Sequence, residues 1–146
     1  MRAFKFPLRR ALEWRRTQLE LEENKLRQLA ASLEEMALAA ARLEMVQSRA
    51  EAAVRQQAVV EARDLWALAA YRQRLLTESR QLSMRRAACN EQLAAQRRNV
   101  LEAQRQCRLL EKLEQRRDAE WQQALDRELE SLAAESFLAR WRRQAG

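Results

Sequence analysis

The sequence contains almost no residue that commonly ends a helix. Its only proline is Pro7 and its only glycine is Gly146, so the long stretch between them lacks the usual residues of turns. Ala, Leu, Glu, Gln and Arg, all strong helix formers, dominate that stretch. The sequence therefore predicts an almost entirely helical chain with at most one or two interruptions.

Apolar residues recur at alternating spacings of three and four in both halves of the chain. In the first half this heptad pattern is interrupted at Arg15, Glu22 and Gln47, and in the second half it runs from Leu65 to Leu110. Aromatic residues make up only 5% of the chain, and much of the 47% hydrophobic fraction is Ala. The pattern therefore favours long helices that share a narrow apolar seam over a globular core.

The periodicity fades between the two halves, where Asp64 is placed to cap a new helix. We therefore predict an all-α fold, a long antiparallel two-helix coiled-coil hairpin. It forms a single domain over residues 1–146, with a first arm at about 7–57, a hairpin tip at about 58–64 and a second arm at about 65–144. The alternative is one very long helix that dimerises in parallel.

A turn near residue 60 also sets the register of the two arms, and it places Leu12 near Leu109. The chain carries a net charge of +7, of which residues 1–16 contribute +5, whereas residues 111–136 carry −4. Antiparallel pairing brings these two segments together, so the charge distribution favours the hairpin.

The residue types that most catalytic sites need are missing. The chain has no histidine and a single terminal glycine, which excludes His-based acid–base catalysis, the common metal sites and glycine-rich phosphate loops. Cys89 and Cys107 fall on apolar-facing positions, and we expect buried thiols in a reducing compartment. We predict no catalytic residue, no metal and no cofactor. Because no apolar run could span a bilayer or serve as a signal peptide, we expect a soluble cytosolic protein.

The basic composition also raises the question of nucleic-acid binding. The chain has 25 arginines and a pI near 10.6. The best candidate stretch is "RRAACNEQLAAQRR", with Arg85, Arg86, Arg97 and Arg98. Arg85 and Arg97 lie about 120° apart around a helix, as do Arg86 and Arg98, so they share no stripe. We predict no nucleic-acid partner and keep a basic coiled-coil nucleic-acid binder as the less favoured alternative.

Two stretches at opposite ends of the sequence resemble the FliJ family of flagellar export proteins. The first, "FKFPLRRALEWRR", matches the family's alternating aromatics before a leucine-led helix at Phe4, Phe6, Leu8 and Leu12. The second, "LLEKLEQRRDAEWQQALDRELESLAAESF", is similar to the family's late signature at Leu110, Glu111, Lys112, Leu113, Arg116, Arg117, Glu120, Arg127, Glu128, Leu129, Ala133 and Phe137. The mid-chain "LAAYRQRLL" also agrees, whereas Ser131 and Ser136 stand where the family has an acidic residue and an arginine.

The resemblance implies an antiparallel coiled coil like the central stalk of rotary ATPases, without an active site of its own. Such proteins sit in the hexameric flagellar export ATPase at the cytoplasmic face of the inner membrane, at the flagellar base. They stimulate that ATPase, link it to the cytoplasmic domain of the export gate protein and handle export chaperones. The equivalent stalk of a virulence-type secretion system is the alternative.

The resemblance also assigns site residues to two regions of the hairpin. The end that enters the ATPase ring holds Phe4, Phe6, Arg9, Arg116, Arg117, Trp121 and Arg127. The residues that face the export gate are Tyr71, Arg74 and Leu75.

The proline near the start of the chain gives a local prediction about this ATPase-binding end. Pro7 suits the first helical position and biases Phe6 away from helical angles. We therefore expect Phe4 and Phe6 on an extended lead-in, opposite the turn of helix that holds Arg117 and Trp121.

Overall fold

The computed structural model describes residues 3–146, and that range is all-α with no strand. Helix α1 spans Arg9–Arg55 and helix α2 spans Ala62–Ala145. The two helices pack against each other in opposite directions, which confirms the predicted all-α hairpin. Helix α1 begins at Arg9 rather than near residue 7, and α2 begins within the stretch predicted as the tip.

The chain forms two compact units. The terminal unit combines the residues up to Leu19 with Glu102–Gly146, and the turn unit is Glu20–Leu101. Each unit contains part of α1 packed on part of α2. That residues 1–146 act as a single domain stays a prediction.

The connection between the helices, residues 56–61, is closed by hydrogen bonds around the start of α2. The backbone N–H of Asp64 donates to the Glu61 carbonyl at 3.0 Å, and the Glu61 N–H donates to the Asp64 carboxylate at 3.4 Å. The second bond is one half of a capping box, in which the side chain three residues inside the helix accepts from the N–H of the N-cap residue, here Glu61. The first bond is a backbone turn bond, because Glu61 accepts through its carbonyl oxygen. The Asp64 carboxylate therefore helps to cap α2 as predicted, but from the third helical position and not as the residue before the helix, because α2 starts at Ala62.

The most deeply buried apolar side chains of the turn unit lie in a line on α2. The buried apolar residues of this line are spaced as a heptad seam requires, and they are Leu75, Cys89, Leu93 and Val100. The Cys89 thiol lies 3.6 Å from the carbonyl oxygen of Leu29 on α1, which places the two backbones close together there. The prediction that Cys89 is a buried thiol is confirmed, and Cys107 in the terminal unit is buried as well.

A polar contact interrupts this seam at the position where the heptad pattern of α1 breaks. Gln96 on α2 is buried, and its Nε2 donates to the Glu22 carbonyl oxygen at 2.9 Å and also to the Glu22 carboxylate. Asn99 Nδ2 donates to Gln96 Oε1 at 3.4 Å. The break at Glu22 is therefore matched by a polar partner on the other helix.

A second cluster of polar side chains, near the turn, includes Gln47, where the heptad pattern of α1 also breaks. Glu51 Oε1 accepts from Arg72 Nη2 at 2.6 Å across the helix pair and from Gln47 Nε2 at 3.4 Å along α1. Arg55 adds a contact at 3.9 Å. These hydrogen bonds and the two positive charges hold the pKa of Glu51 below its ordinary value of 4.5.

The lowered pKa of Glu51 predicts acid sensitivity of the turn unit. Because the folded chain favours the ionised carboxylate, Glu51 contributes stability above about pH 4.5 and loses it as the pH falls through the lowered pKa. We expect Glu51→Gln to flatten the dependence of urea stability on pH between about 5 and 3. The matched control is Glu44→Gln, an exposed glutamate on the same helix. An equal flattening in both variants would contradict this role for Glu51.

Candidate partner-binding end

The N-terminal segment folds back onto the last part of α2 in the terminal unit. Residues 3–6 have no regular secondary structure, and the Phe4 ring lies 6.1 Å from the Trp121 ring at an angle of 46°. This tilted arrangement is within the range in which aromatic pairs attract each other. Phe6 is buried. The segment therefore closes this part of the helix pair with two aromatic side chains.

A tight turn leads from this segment into α1. The Arg9 N–H donates to the Phe6 carbonyl at 3.1 Å, and the Leu12 N–H donates to the Leu8 carbonyl at 2.9 Å. Pro7 is thus the second residue of a four-residue turn, a position that suits its fixed φ. The prediction that Pro7 is the first helical residue is wrong, because the turn takes up Pro7 and Leu8 before α1 begins.

Ion pairs join the basic start of α1 to the acidic part of α2. Arg9 Nη1 lies 2.7 Å from Glu114 Oε1, and Arg16 Nη2 lies 3.4 Å from Glu111 Oε1. The segment charges predicted this attraction. Since the pairs are partly exposed, each adds little stability, and their main effect is to fix register.

The same ion pairs correct the predicted position of Leu12. Leu12 is fully buried, whereas Leu109 is 58% exposed. Arg9 and Arg16 place the stretch between Glu111 and Glu114 opposite Leu12. The predicted register is therefore displaced by a few residues in this unit.

Part of the predicted ATPase-binding set lines one open groove. The groove is formed by the N-terminal segment and one side of α2, with Ala3, Phe4, Lys5, Pro7, Arg117, Glu120 and Trp121 as its lining. It combines an aromatic floor with two cations and one carboxylate. Phe4, Arg117 and Trp121 were predicted from the sequence, whereas Lys5 was not, although its position between two aromatics was the available signal.

A second groove on the terminal unit is mainly acidic, and it was also missed. Its lining consists of Phe4, Arg16, Glu111, Glu114, Gln115 and Asp118. Phe4 contributes to both grooves, so its ring separates a mixed basic surface from an acidic one. The net charge of −4 over residues 111–136 was the signal in the sequence.

The remaining residues of that set lie elsewhere in the terminal unit. Phe6 is buried, and Arg9 is engaged with Glu114. Arg116 and Arg127 are exposed and lie eleven residues apart, which is close to three helical turns. They therefore share one side of α2. Arg116 lies about 140° around the helix from Trp121.

The three predicted gate-facing residues differ in their exposure. Tyr71 is 38% exposed and lines a groove beside the turn, and Arg74 pairs with Glu78 at 3.5 Å. Leu75 is buried in the seam, so its side chain packs within the turn unit instead of facing outward. Trp66, which is 80% exposed near the start of α2, was not predicted as a site residue.

Two kinds of feature are absent from the described residues. Across residues 3–146, no three of the His, Cys, Asp and Glu side chains converge as metal ligands would. In the same range, neither helix contains a segment that is long and apolar enough to cross a membrane. Arg85, Arg97 and Arg98 are exposed and Arg86 is partly covered.

Comparison with known proteins identified no relative of this chain. No protein-family model matches the sequence, and no curated protein or solved structure is significantly similar to it.

Proposed function

We propose that this chain is a non-enzymatic stalk of a flagellar-type export apparatus. In this proposal its terminal unit docks in the hexameric export ATPase and stimulates it, at the cytoplasmic face of the inner membrane. The turn unit reaches the cytoplasmic domain of the export gate protein, and export chaperones are further partners. The resemblance of the two terminal stretches to FliJ proteins is the origin of this proposal.

The observation that carries the proposal is that the two resembling stretches meet in one place. Phe4 from the first stretch contacts Trp121 from the second, with a ring separation of 6.1 Å. Arg117 lies in the same groove, whereas Arg116 is exposed about 140° around α2 from Trp121. Aromatic and Arg side chains dominate the energetics of protein interfaces, so this end is suited to a protein partner.

The structure also decides which residues can test the docking. Phe6 is buried and Arg9 is paired within the chain, so changing either one disturbs the terminal unit itself. Arg116 and Arg117 are exposed. Their guanidinium groups are available to a partner without loss of packing.

We expect the double variant Arg116→Ala, Arg117→Ala to lose stimulation of the cognate export ATPase. Loss of two interface arginines should raise the concentration for half-maximal stimulation by roughly tenfold or more. The measurement is the ATP hydrolysis rate of the purified ATPase titrated with this protein.

The matched control is Arg97→Ala, Arg98→Ala, an adjacent and exposed arginine pair on the same helix within the turn unit. This variant should stimulate like the wild type, which separates a specific contact from a general loss of positive charge. Equal stimulation by both double variants would reject the docking site. Running the assay with ATPases of flagellar and of virulence-type systems distinguishes the proposal from its closest alternative.

A further inference from the structure

Helix α2 continues well beyond its contact with the N-terminal segment. The last aromatic contact between the two is Phe4 on Trp121, and every residue from Asp126 to Gly146 is exposed. We call this part of the helix, residues 126–145, the C-terminal extension. Among the described residues of the terminal unit, none covers it.

A continuous apolar ridge runs along α2 from Trp121 into the C-terminal extension. Its members recur at every fourth position, starting from the partly covered Trp121 and Leu125, and they are Trp121, Leu125, Leu129, Ala133, Phe137 and Trp141. Leu129, Phe137 and Trp141 are 51%, 68% and 60% exposed. A row of residues four apart is one of the ridges through which helices pack, and the row advances about 40° around the helix at each step. It therefore fits a second helix that crosses obliquely.

The charges of the extension divide into two halves of opposite sign. Residues 126–136 carry four acidic side chains and one arginine, a net of −3. Residues 137–146 carry three arginines and no acidic residue, a net of +3. A segment with this pattern is complementary to a copy of itself that runs in the opposite direction.

We propose that the C-terminal extension is a self-association surface that binds the same extension of a second copy of this chain. The two helices cross antiparallel at Ala133, whose small side chain lets the backbones approach. Leu129 of one copy then packs against Phe137 of the other, and Leu125 against Trp141. The same register places Asp126 opposite Arg140. This proposal does not depend on the export function.

The pattern favours a second copy over a lipid surface. A membrane-surface helix needs one broad apolar face with basic residues along its polar face. Here the ridge winds around the helix by about 200° between Trp121 and Trp141. The acidic half would also be repelled by anionic lipid. Pairing with a second copy uses both the winding ridge and the two charge blocks.

The first test is the mass of the chain in solution as a function of concentration. Sedimentation velocity from micromolar to about millimolar protein should show a shift from one chain of 17.2 kDa toward twice that mass. Phe137→Glu should raise the dissociation constant by roughly tenfold or more, because it buries a charge in the crossing. Leu138→Glu is the matched control, since Leu138 is 50% exposed and lies off the ridge.

The second test fixes the orientation of the two helices. Asp126→Arg and Arg140→Asp should each weaken association, and the double charge exchange should restore it. Ala133→Cys should form a disulfide-linked dimer on oxidation, whereas Ala134→Cys, about 100° around the helix, should not. A chain that remains a monomer at millimolar concentration overturns the proposal. So does equal weakening by Phe137→Glu and Leu138→Glu, or crosslinking at Ala134 instead of Ala133.

Discussion

Leu12→Ala is expected to destabilise the terminal unit by about 3 kcal/mol. Among residues 3–146, Leu12 is the largest fully buried side chain, with an exposed fraction of 0%. It is the fourth residue of α1, which begins after the turn that takes up Pro7 and Leu8. Truncation removes its apolar burial and leaves a cavity, and a two-helix pair has few other layers with which to fill it.

The two cysteines allow the stability of each unit to be measured separately. Cys107 is buried in the terminal unit and Cys89 in the turn unit, each with one thiol to label. In Leu12→Ala, thiol labelling of Cys107 should accelerate by roughly 100-fold, as follows from the expected loss of stability. Labelling of Cys89 should change less, and it serves as the internal reference.

The matched control for Leu12→Ala is Leu109→Ala. Leu109 belongs to the same unit but is 58% exposed, so its truncation should leave labelling of Cys107 almost unchanged. If Leu12→Ala and Leu109→Ala accelerate the labelling of Cys107 equally, or neither does, then Leu12 does not hold this unit together.

The helices and their direction were predictable because they depend on patterns that extend over many residues. The scarcity of Gly and Pro and the repeated three-and-four spacing each involve dozens of positions, so single exceptions do not alter the outcome. The opposite charges of residues 1–16 and 111–136 supported the same arrangement. A hairpin also brings Phe4 opposite the turn of helix that holds Trp121, as predicted, and the two rings are in contact.

The local features were harder to predict because each depends on one or two hydrogen bonds. Pro7 and Asp64 have the right chemistry for the starts of the helices. However, Pro7 lies before the first residue of α1, and Asp64 lies inside α2. The carbonyls of Phe6 and Glu61 accept the N–H groups that fix these turns, and a residue type does not identify which carbonyl will be used.

The candidate site was predictable as a region but not residue by residue. Heptad position alone does not separate Leu75, which is buried, from Tyr71, which is partly exposed. Likewise, the segment charges predicted attraction but could not reveal that Arg9 binds Glu114 while Arg117 borders a groove. Whether a long side chain pairs with one neighbour or another depends on differences of a few ångströms, and packing sets the positions of those neighbours.

Replacing the Glu22 and Gln96 pair by two leucines is expected to raise the stability of the turn unit while loosening its register. The contact between Gln96 Nε2 and Glu22 is satisfied in the folded chain, including the 2.9 Å bond to the carbonyl oxygen. Two leucines would bury apolar surface in its place, and we expect an increase of roughly 1–3 kcal/mol in the free energy of unfolding. Gln96→Leu alone should lower it, because the Glu22 carboxylate then faces an apolar side chain.

The register should be less well defined because two helices with apolar layers alone can slide past each other. A single polar layer in a coiled coil opposes such sliding. The core of the turn unit is otherwise a repeating line of small and medium apolar residues on α2. If α2 slipped along α1 by one heptad, the leucine variant would lose little packing. The wild type would lose the contact between Gln96 and Glu22.

Register can be read from a crosslink at the contact between Cys89 and α1. The Cys89 thiol lies 3.6 Å from the Leu29 carbonyl, so Leu29→Cys should form a disulfide with Cys89 on oxidation. Adding Glu22→Leu and Gln96→Leu should lower the yield of this intramolecular disulfide while the urea midpoint rises. A double-leucine variant that is less stable than the wild type, or that keeps the full yield, would show that the polar layer does not act by setting register. A higher midpoint with a lower yield would mean that the chain sacrifices stability at this layer in order to hold one pairing of its two helices.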